Sequence, residues 1–173
     1  QELALNHAQR VQGLVLGCTN CGGTRTVMAQ PEVIGKMGQL MNLVNQPTAE
    51  MVNEFWRLAV TPEFVERRMD FLAAIAAAGM KTPPTLPALA RQFAAIQSFD
   101  TYGRLPGIEA QTLVIHGTRD VLVPVDNADI LRERIPGSRL RIVDNVGHMF
   151  FWEKPDEAAE AVSGFLASVP AGV

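Results

Sequence analysis

The sequence has 173 residues, 47% of them hydrophobic, and a formal net charge of -3. A chain of this length can bury about 70% of its unfolded surface, which favours a globular domain over a disordered or disulfide-stapled chain. The acidic balance predicts no nucleic-acid partner, and the longest apolar run, Phe71 to Met80, falls far short of the roughly 20 residues that span a membrane. With only Cys18 and Cys21 as cysteines, we expect a reducing, cytoplasmic location.

The chain begins within a helical pattern and continues into a strand. Gln1 to Leu5 follow the spacing of an amphipathic helix, without an initiator methionine or a signal peptide. Val11 to Gly17 form a nearly continuous apolar run, which is typical of a strand buried in a parallel sheet. We therefore expect the sequence to enter partway through the helix that precedes this strand.

Residues 24–107 follow a different pattern. They hold six of the seven methionines and no strand-like run, and their apolar positions recur every three or four residues. Pro47, Pro62 and the Pro83-Pro84 pair divide them into about four short helices. Because these helices are inserted between two strands, we expect them to form a separate cap layer. Methionine stripes usually fill a core, and the alternative is a deformable apolar wall over a ligand.

The last part of the chain, residues 108–173, returns to alternating strands and helices. Thr112 to His116 and Leu140 to Val143 predict strands, and Val125 to Ile135 predicts the helix between them. This order within one sheet implies a right-handed crossover between parallel strands. The predicted fold class is therefore α/β, with a mostly parallel sheet built from residues 1–23 and 108–173, flanking helices and the inserted cap.

Two loops at the carboxyl ends of predicted strands carry reactive side chains, and ligands of open α/β sheets bind at that edge. The loop after the second strand contains Asp120, and the loop after the third contains His148. On neighbouring strands, Asp120 could accept a hydrogen bond from His148, fix its tautomer and activate a hydroxyl or a water. Asp126 and Asp144 are alternative acids, but their positions better suit a helix start and a strand end.

The Cys18-x-x-Cys21 spacing invites a zinc or a redox interpretation. Structural zinc needs four ligands at recognisable spacing, which the chain does not supply. A thioredoxin-like pair should open a helix, whereas Gly22 and Gly23 follow here. We predict no metal at these cysteines and expect Cys18 to line a pocket beneath the cap.

The segments LVIHGTRDVLVP and VDNVGHMFFWEKPDE resemble the C-terminal half of the α/β-hydrolase fold. In that superfamily an H-G-x-x-D loop supplies the triad acid and a G-H loop supplies the triad histidine, so the resemblance implies these roles for Asp120 and His148. QELALNHAQRVQGLVL resembles the helix after the nucleophile elbow and the next strand. The resemblance covers the whole chain, more loosely in the cap, and implies an incomplete α/β-hydrolase fold that works without a cofactor.

The nucleophile elbow of this superfamily, G-x-S-x-G, does not occur in the sequence. None of Ser98, Ser138, Ser163 and Ser168 has a glycine both two residues before it and two residues after it. The resemblance therefore implies a nucleophile upstream of Gln1 in a longer parent protein. Whether that nucleophile is a serine or an aspartate stays open.

The resemblance implies a hydrolase with a Ser-Asp-His triad that cleaves a carboxylic ester, a lactone or a similar small apolar substrate. Met149, Phe150 and Trp152 follow the histidine, and with Cys18 they are the predicted substrate-binding residues. Aromatic residues at such positions more often belong to a core. Two alternatives are a haloalkane dehalogenase or epoxide hydrolase with an aspartate nucleophile, and a truncated hydrolase-fold protein that binds without catalysis.

If the chain is the C-terminal part of such a fold, the first predicted strand, Val11 to Gly17, has no neighbouring strand on one side. Its unpaired backbone N–H and C=O groups would form an apolar open edge. We therefore expect self-association through this edge.

Overall fold

The computed structural model describes residues 1–42, 48–79, 81 and 85–170, in which helices flank a small parallel sheet. The strands are β1 (Gly13–Gly17), β2 (Gln111–Gly117) and β3 (Arg139–Val143). The helices are α1 (Glu2–Asn6), α2 (Pro31–Asn42), α3 (Ala49–Ala59), α4 (Pro62–Arg67), α5 (Met69–Gly79), α6 (Leu86–Ser98), α7 (Asp126–Arg134), α8 (Phe150–Glu153) and α9 (Pro155–Ser168). None of the helices in these ranges is long and apolar enough to cross a membrane.

The sheet has the order β1-β2-β3, and both pairs of strands are parallel. Its central strand β2 is buried from Thr112 to Gly117, which confirms the apolar run predicted there. β1 is shorter than predicted, since it begins at Gly13, and only Leu16 on it is buried. Within the described residues β1 pairs on one side only, and self-association through it stays a prediction.

The crossover from β2 to β3 passes through α7, as the sequence predicts. Acidic residues occupy the first turn of α7 and arginines its last turn, which favours the helix dipole at both ends. Gly137 follows the helix with φ at 67°, a conformation that glycine adopts without steric cost. The predicted α/β class with a parallel sheet is confirmed.

Helices α2 to α6 lie between β1 and β2 in the chain, and we call them the inserted helices. Five are found in the described residues where about four were predicted, because the chain divides α4 from α5 at Arg68. Thr48 and Thr85 begin α3 and α6 by accepting backbone N–H bonds, at 3.1 Å and 3.4 Å respectively. The predicted breaks at Pro47 and at the Pro83-Pro84 pair lie outside the described residues.

Three apolar clusters hold these layers together. Alternate residues of β2 point to opposite faces of the sheet, so that Val114 packs with Leu16 and Leu131 while Ile115 packs with Val143 and Phe165. The third cluster belongs to the inserted helices α3 to α5 and consists of Trp56, Ala59, Val60, Phe64, Val65 and Leu72. Met149 and Trp152 pack against the third cluster, so the inserted helices rest directly on the loop that carries His148.

Candidate active site

The structure brings together Asp120 and His148, the two predicted catalytic residues. Asp120 follows β2 and His148 follows β3, and these strands are neighbours in the sheet. Their loops therefore meet at one edge, where Nδ1 of His148 lies 2.8 Å from Oδ2 of Asp120. This hydrogen bond fixes the ring and commits Nδ1, so that Nε2 is the nitrogen left for proton transfer.

Asp120 is held as a buried carboxylate. Burial by itself would raise its pKa, but hydrogen bonds from His116 and His148 and from the backbone N–H of Val123 hold the pKa of this carboxyl well below its usual range. Its Oδ1 accepts the N–H groups of Leu122 and Val123, both at 2.9 Å. The group is therefore ionised at neutral pH and is suited to stabilising an imidazolium on His148.

Gly117 allows the two loops to approach each other closely. A Cβ at this position would lie 2.5 Å from the carbonyl oxygens of both Val146 and Gly147, so no side chain fits there. Backbone bonds join the loops at this crossing, with the N–H of Arg119 donating to Val146 O at 2.9 Å. The glycine of the H-G-x-x-D pattern thus serves the packing of backbone on backbone.

His116, at the end of β2, supports the loop that carries Asp120, which we call the acid loop. It is fully buried, and its Nε2 lies 2.8 Å from Val123 O and 3.3 Å from Oδ2 of Asp120. Its Nδ1 has no hydrogen-bond partner among the residues that the structure describes. These contacts make His116 a neighbour of the carboxylate rather than of the cavity described below.

Cys18 lies beneath the pair, and its φ of 45° is a left-handed conformation that is uncommon for a residue with a side chain. Burial and the negative charge of Asp120 raise the pKa of its thiol, which therefore stays protonated. Its sulfur and ligand atoms of Asp120 and His148 all lie within 4.8 Å of one another, close enough to surround a metal ion. Cys21 turns instead toward Gly22 and Thr26, so the two cysteines do not converge, and the absence of a metal stays a prediction.

An apolar cavity of about 970 Å³ opens next to His148. Its wall comes from the segment after β1, from α2, from α6 and from the acid loop, and its lining residues are Asn20, Thr26, Val27, Met28, Ala29, Val33, Ile34, Met37, Gly38, Leu89, Ala90, Phe93, Ile96, Leu122, Val123 and His148. None of these described lining residues is Asp, Glu, Lys or Arg. The imidazole of His148 therefore lies beside an apolar cavity.

The four predicted substrate-binding residues lie elsewhere. Cys18 and Phe150 belong to the buried cluster on one face of the sheet, while Met149 and Trp152 pack against the inserted helices. Trp152 is 5.3 Å from the ring of Trp56, in an aromatic cluster. None of the four is among the described residues that line the cavity, and their substrate-binding role stays a prediction.

Apart from His148, the cavity wall comes from residues that the sequence did not assign to a site individually. Met28 and Met37 lie on it, and the methionine content of the inserted region was the signal that pointed to them. Phe93 and Ile96 on α6 carried no such signal, because an amphipathic helix looks the same whether its apolar face meets a core or a ligand.

Comparison with known proteins agrees with this arrangement of strands and loops. Residues 3–161 match a known protein family along most of the chain. The chain belongs to the alpha/beta hydrolase family. Over 169 residues it is 30% identical to a 2-hydroxy-6-oxononadienedioate/2-hydroxy-6-oxononatrienedioate hydrolase of Pseudomonas putida, covering 94% of this chain and 57% of that protein.

Solved structures of this family superpose on the chain closely. A hydrolase from Pseudomonas aeruginosa matches with a TM-score of 0.76 and 27% identity, over 96% of this chain and 60% of that one. The enol-lactonase from Burkholderia xenovorans matches with a TM-score of 0.78 and 24% identity, over 96% and 60%. The chain thus spans somewhat more than half the length of the family members that it matches.

Proposed function

We propose that the protein carrying this chain is a hydrolase that cleaves a carboxylic ester, a lactone or a similar small apolar substrate. The observation that carries the proposal is that His148 is hydrogen-bonded to a buried carboxylate and also lines an apolar cavity. Membership in a family of hydrolases supports it. Residues 24–107 would act as the cap, since α2 and α6 supply much of the cavity wall.

In the proposed mechanism His148 transfers the protons and Asp120 keeps its charge. Nε2 of His148 accepts the proton of the nucleophile as that group attacks the substrate carbonyl, and then donates it to the leaving oxygen. A water then attacks the acyl intermediate while Nε2 takes one of its protons. The bond between the acyl group and the nucleophile breaks, the acid product leaves, and Nε2 returns the proton to the nucleophile. Asp120 holds the imidazole and stabilises its protonated form at both stages. We propose that the nucleophile comes from residues outside these 173.

The cavity favours a neutral substrate over a charged one. Moving a carboxylate into an apolar space without a cationic partner is costly, and the described lining residues offer no lysine or arginine. The relative from Pseudomonas putida is named for a dioate, which is a dicarboxylate. We propose that this protein prefers uncharged esters or lactones to such a dianion.

Turnover of activated esters by the full natural gene product tests the proposal. We expect hydrolysis of p-nitrophenyl butyrate, slower hydrolysis of the negatively charged p-nitrophenyl hemisuccinate, and a loss of at least about a thousandfold in kcat in His148→Ala. His7→Ala is the matched control, because His7 is exposed at the end of α1 and is not among the described residues that line the cavity. Activity retained in His148→Ala would overturn the assignment.

The nucleophile can be identified in the same protein. A fluorophosphonate probe that labels a serine supports the Ser-Asp-His mechanism. Turnover of an alkyl halide or an epoxide without such labelling would point to an aspartate nucleophile. A folded protein that turns over no ester, alkyl halide or epoxide would favour a binding protein without catalysis.

A further inference from the structure

The backbone on both sides of His148 is bonded to one corner of the inserted helices, the corner between α3 and α4 formed by Ala59, Val60 and Thr61. On one side, the N–H of Met149 donates directly to Ala59 O at 2.9 Å. On the other side, the N–H of Gly147 donates to Oε1 of Glu153 at 2.7 Å. All three corner residues are buried, and the bonds that Glu153 makes beside them are partly buried.

Glu153 joins the second side to the same corner through its other oxygen. Oε2 accepts the backbone N–H of Thr61 at 3.1 Å and also the hydroxyl of Thr61. The carboxylate therefore connects the histidine loop with the start of α4. Among the described residues no lysine or arginine forms an ion pair with Glu153, so its charge is directed at these N–H and O–H donors.

The backbone at Gly147 packs tightly against the corner of the inserted helices. A Cβ on Gly147 would lie 3.1 Å from Ala59 O and 3.2 Å from both Val60 Cα and Oε1 of Glu153, which is tighter than ordinary contacts. The loop is thus in direct backbone contact with the corner as well as bonded to it. A displacement of α3 and α4 must either move His148 or break these bonds.

We propose that Glu153 is a positioning residue, which holds the backbone of His148 in register with the corner of the inserted helices at Ala59 to Thr61. This inference rests on the proposed function of His148 as the proton-transfer group. Both carboxylate oxygens of Glu153 are needed, because Oε1 binds the Gly147 N–H and Oε2 binds Thr61. A glutamine offers one acceptor and places an N–H group against a donor on the other side, so Glu153→Gln breaks one of the two links with little change of shape.

Kinetics on the full natural gene product form the first part of the test. We expect Glu153→Gln to lower kcat roughly tenfold to a hundredfold with KM within about twofold, because the misplaced group acts in the transition state. Thr61→Val should also lower kcat. Thr61→Ser keeps the hydroxyl, so it should keep the kcat of the unsubstituted protein. Glu157→Gln is the control, since Glu157 pairs with Arg141 and Lys154 on the surface of α9. Unchanged kcat in both Glu153→Gln and Thr61→Val, with only a lower Tm, would overturn the proposal.

Proton NMR forms the second part, and it does not depend on turnover. Two signals report the position of the loop directly. One is the Nδ1 proton of His148 in its hydrogen bond to Asp120, and the other is the exchange rate of the Gly147 amide. We expect Glu153→Gln and Thr61→Val to broaden the Nδ1 signal and to accelerate amide exchange, while Glu157→Gln leaves both unchanged. If the unsubstituted protein hydrolyses no substrate, the proposed function is wrong. The NMR signals then still test whether Glu153 positions the loop of His148. If both variants show the same Nδ1 signal and the same Gly147 exchange rate as the unsubstituted protein, the positioning role of Glu153 is overturned.

Discussion

The strand-end loops and the inserted helices build the two halves of the candidate site in different ways. In the loops the key side chain, Asp120, is 6% exposed and every oxygen of its carboxylate accepts a hydrogen bond. Along the cavity wall, Met28 and Ile96 are 64% and 67% exposed, and their apolar side chains are not fixed by hydrogen bonds. Proton transfer requires fixed geometry, whereas apolar binding depends on area and tolerates adaptation.

The two halves are joined at a small number of polar points. Asn127, buried at the start of α7, bonds both the N–H and the C=O of Val27 on the cavity wall, at 3.0 Å and 2.8 Å. A second junction, at the loop of His148, consists of the bonds from Thr61 to Glu153 and the bond from Met149 N–H to Ala59 O. On the surface, Arg119 after β2 also pairs with Glu63 of α4. The contrast between fixed loops and adaptable wall therefore depends on a few buried polar side chains, and substitutions on each side can test it.

The largest expected effect comes from the fixed half. Asp120→Asn keeps the shape of the side chain but removes the charge that stabilises the imidazolium, so kcat should fall about a thousandfold to ten-thousandfold. Steady-state hydrolysis of a neutral ester measures it. Asp144→Asn is the matched control, because Asp144 lies on the exposed surface beside Thr118. Equal losses in the two variants would mean that the loops are not the fixed catalytic half.

The next effect separates packing from binding within the inserted helices. Leu72 is fully buried in the cluster of α3 to α5, and Leu72→Ala should cost about 2–5 kcal/mol of unfolding free energy. Phe93 is 40% exposed on the cavity wall, and Phe93→Ala should cost less than about 1 kcal/mol. Urea unfolding followed by tryptophan fluorescence measures both.

For KM we expect the opposite order, in which Phe93→Ala has the larger effect and Leu72→Ala the smaller. Phe93→Ala removes apolar area from the wall and should raise KM for a butyrate or longer ester several-fold. Leu72→Ala should leave KM nearly unchanged at temperatures where it stays folded. A variant of Phe93 that loses stability without any change in KM would place this residue in a core and remove it from the binding surface.

A further effect concerns acid pH. The pKa of Asp120 is lowered on folding, so the stability that this group contributes is fully present above its unfolded pKa of about 4 and is lost as pH falls further. We expect the difference in unfolding free energy between the unsubstituted protein and Asp120→Asn to shrink by on the order of 2 kcal/mol between pH 6 and pH 2. Urea unfolding across that range checks it, and parallel curves for the two proteins would contradict the ionised, hydrogen-bonded state of Asp120.

Sequence patterns predicted the strands and the reactive loops well, and the cavity wall poorly. β2 was recognisable because a strand buried on both faces is apolar at every position. Asp120 and His148 were recognisable because a short glycine-containing pattern follows each strand. Met149, Phe150 and Trp152 follow His148 in sequence, but Phe150 packs in the sheet core, and Met149 and Trp152 pack against the inserted helices.

The sequence by itself determined the α/β class, the crossover through α7 and the identity of the paired acid and histidine, because these depend on local periodicity and on loops adjoining strands. Only the tertiary structure decided which apolar residues face the cavity and that Glu153 bonds the histidine loop to Thr61. Thr61 and Glu153 are 92 residues apart in the chain. A contact between such distant residues leaves no periodic signal in one sequence, because the folding of the inserted helices onto the sheet creates it.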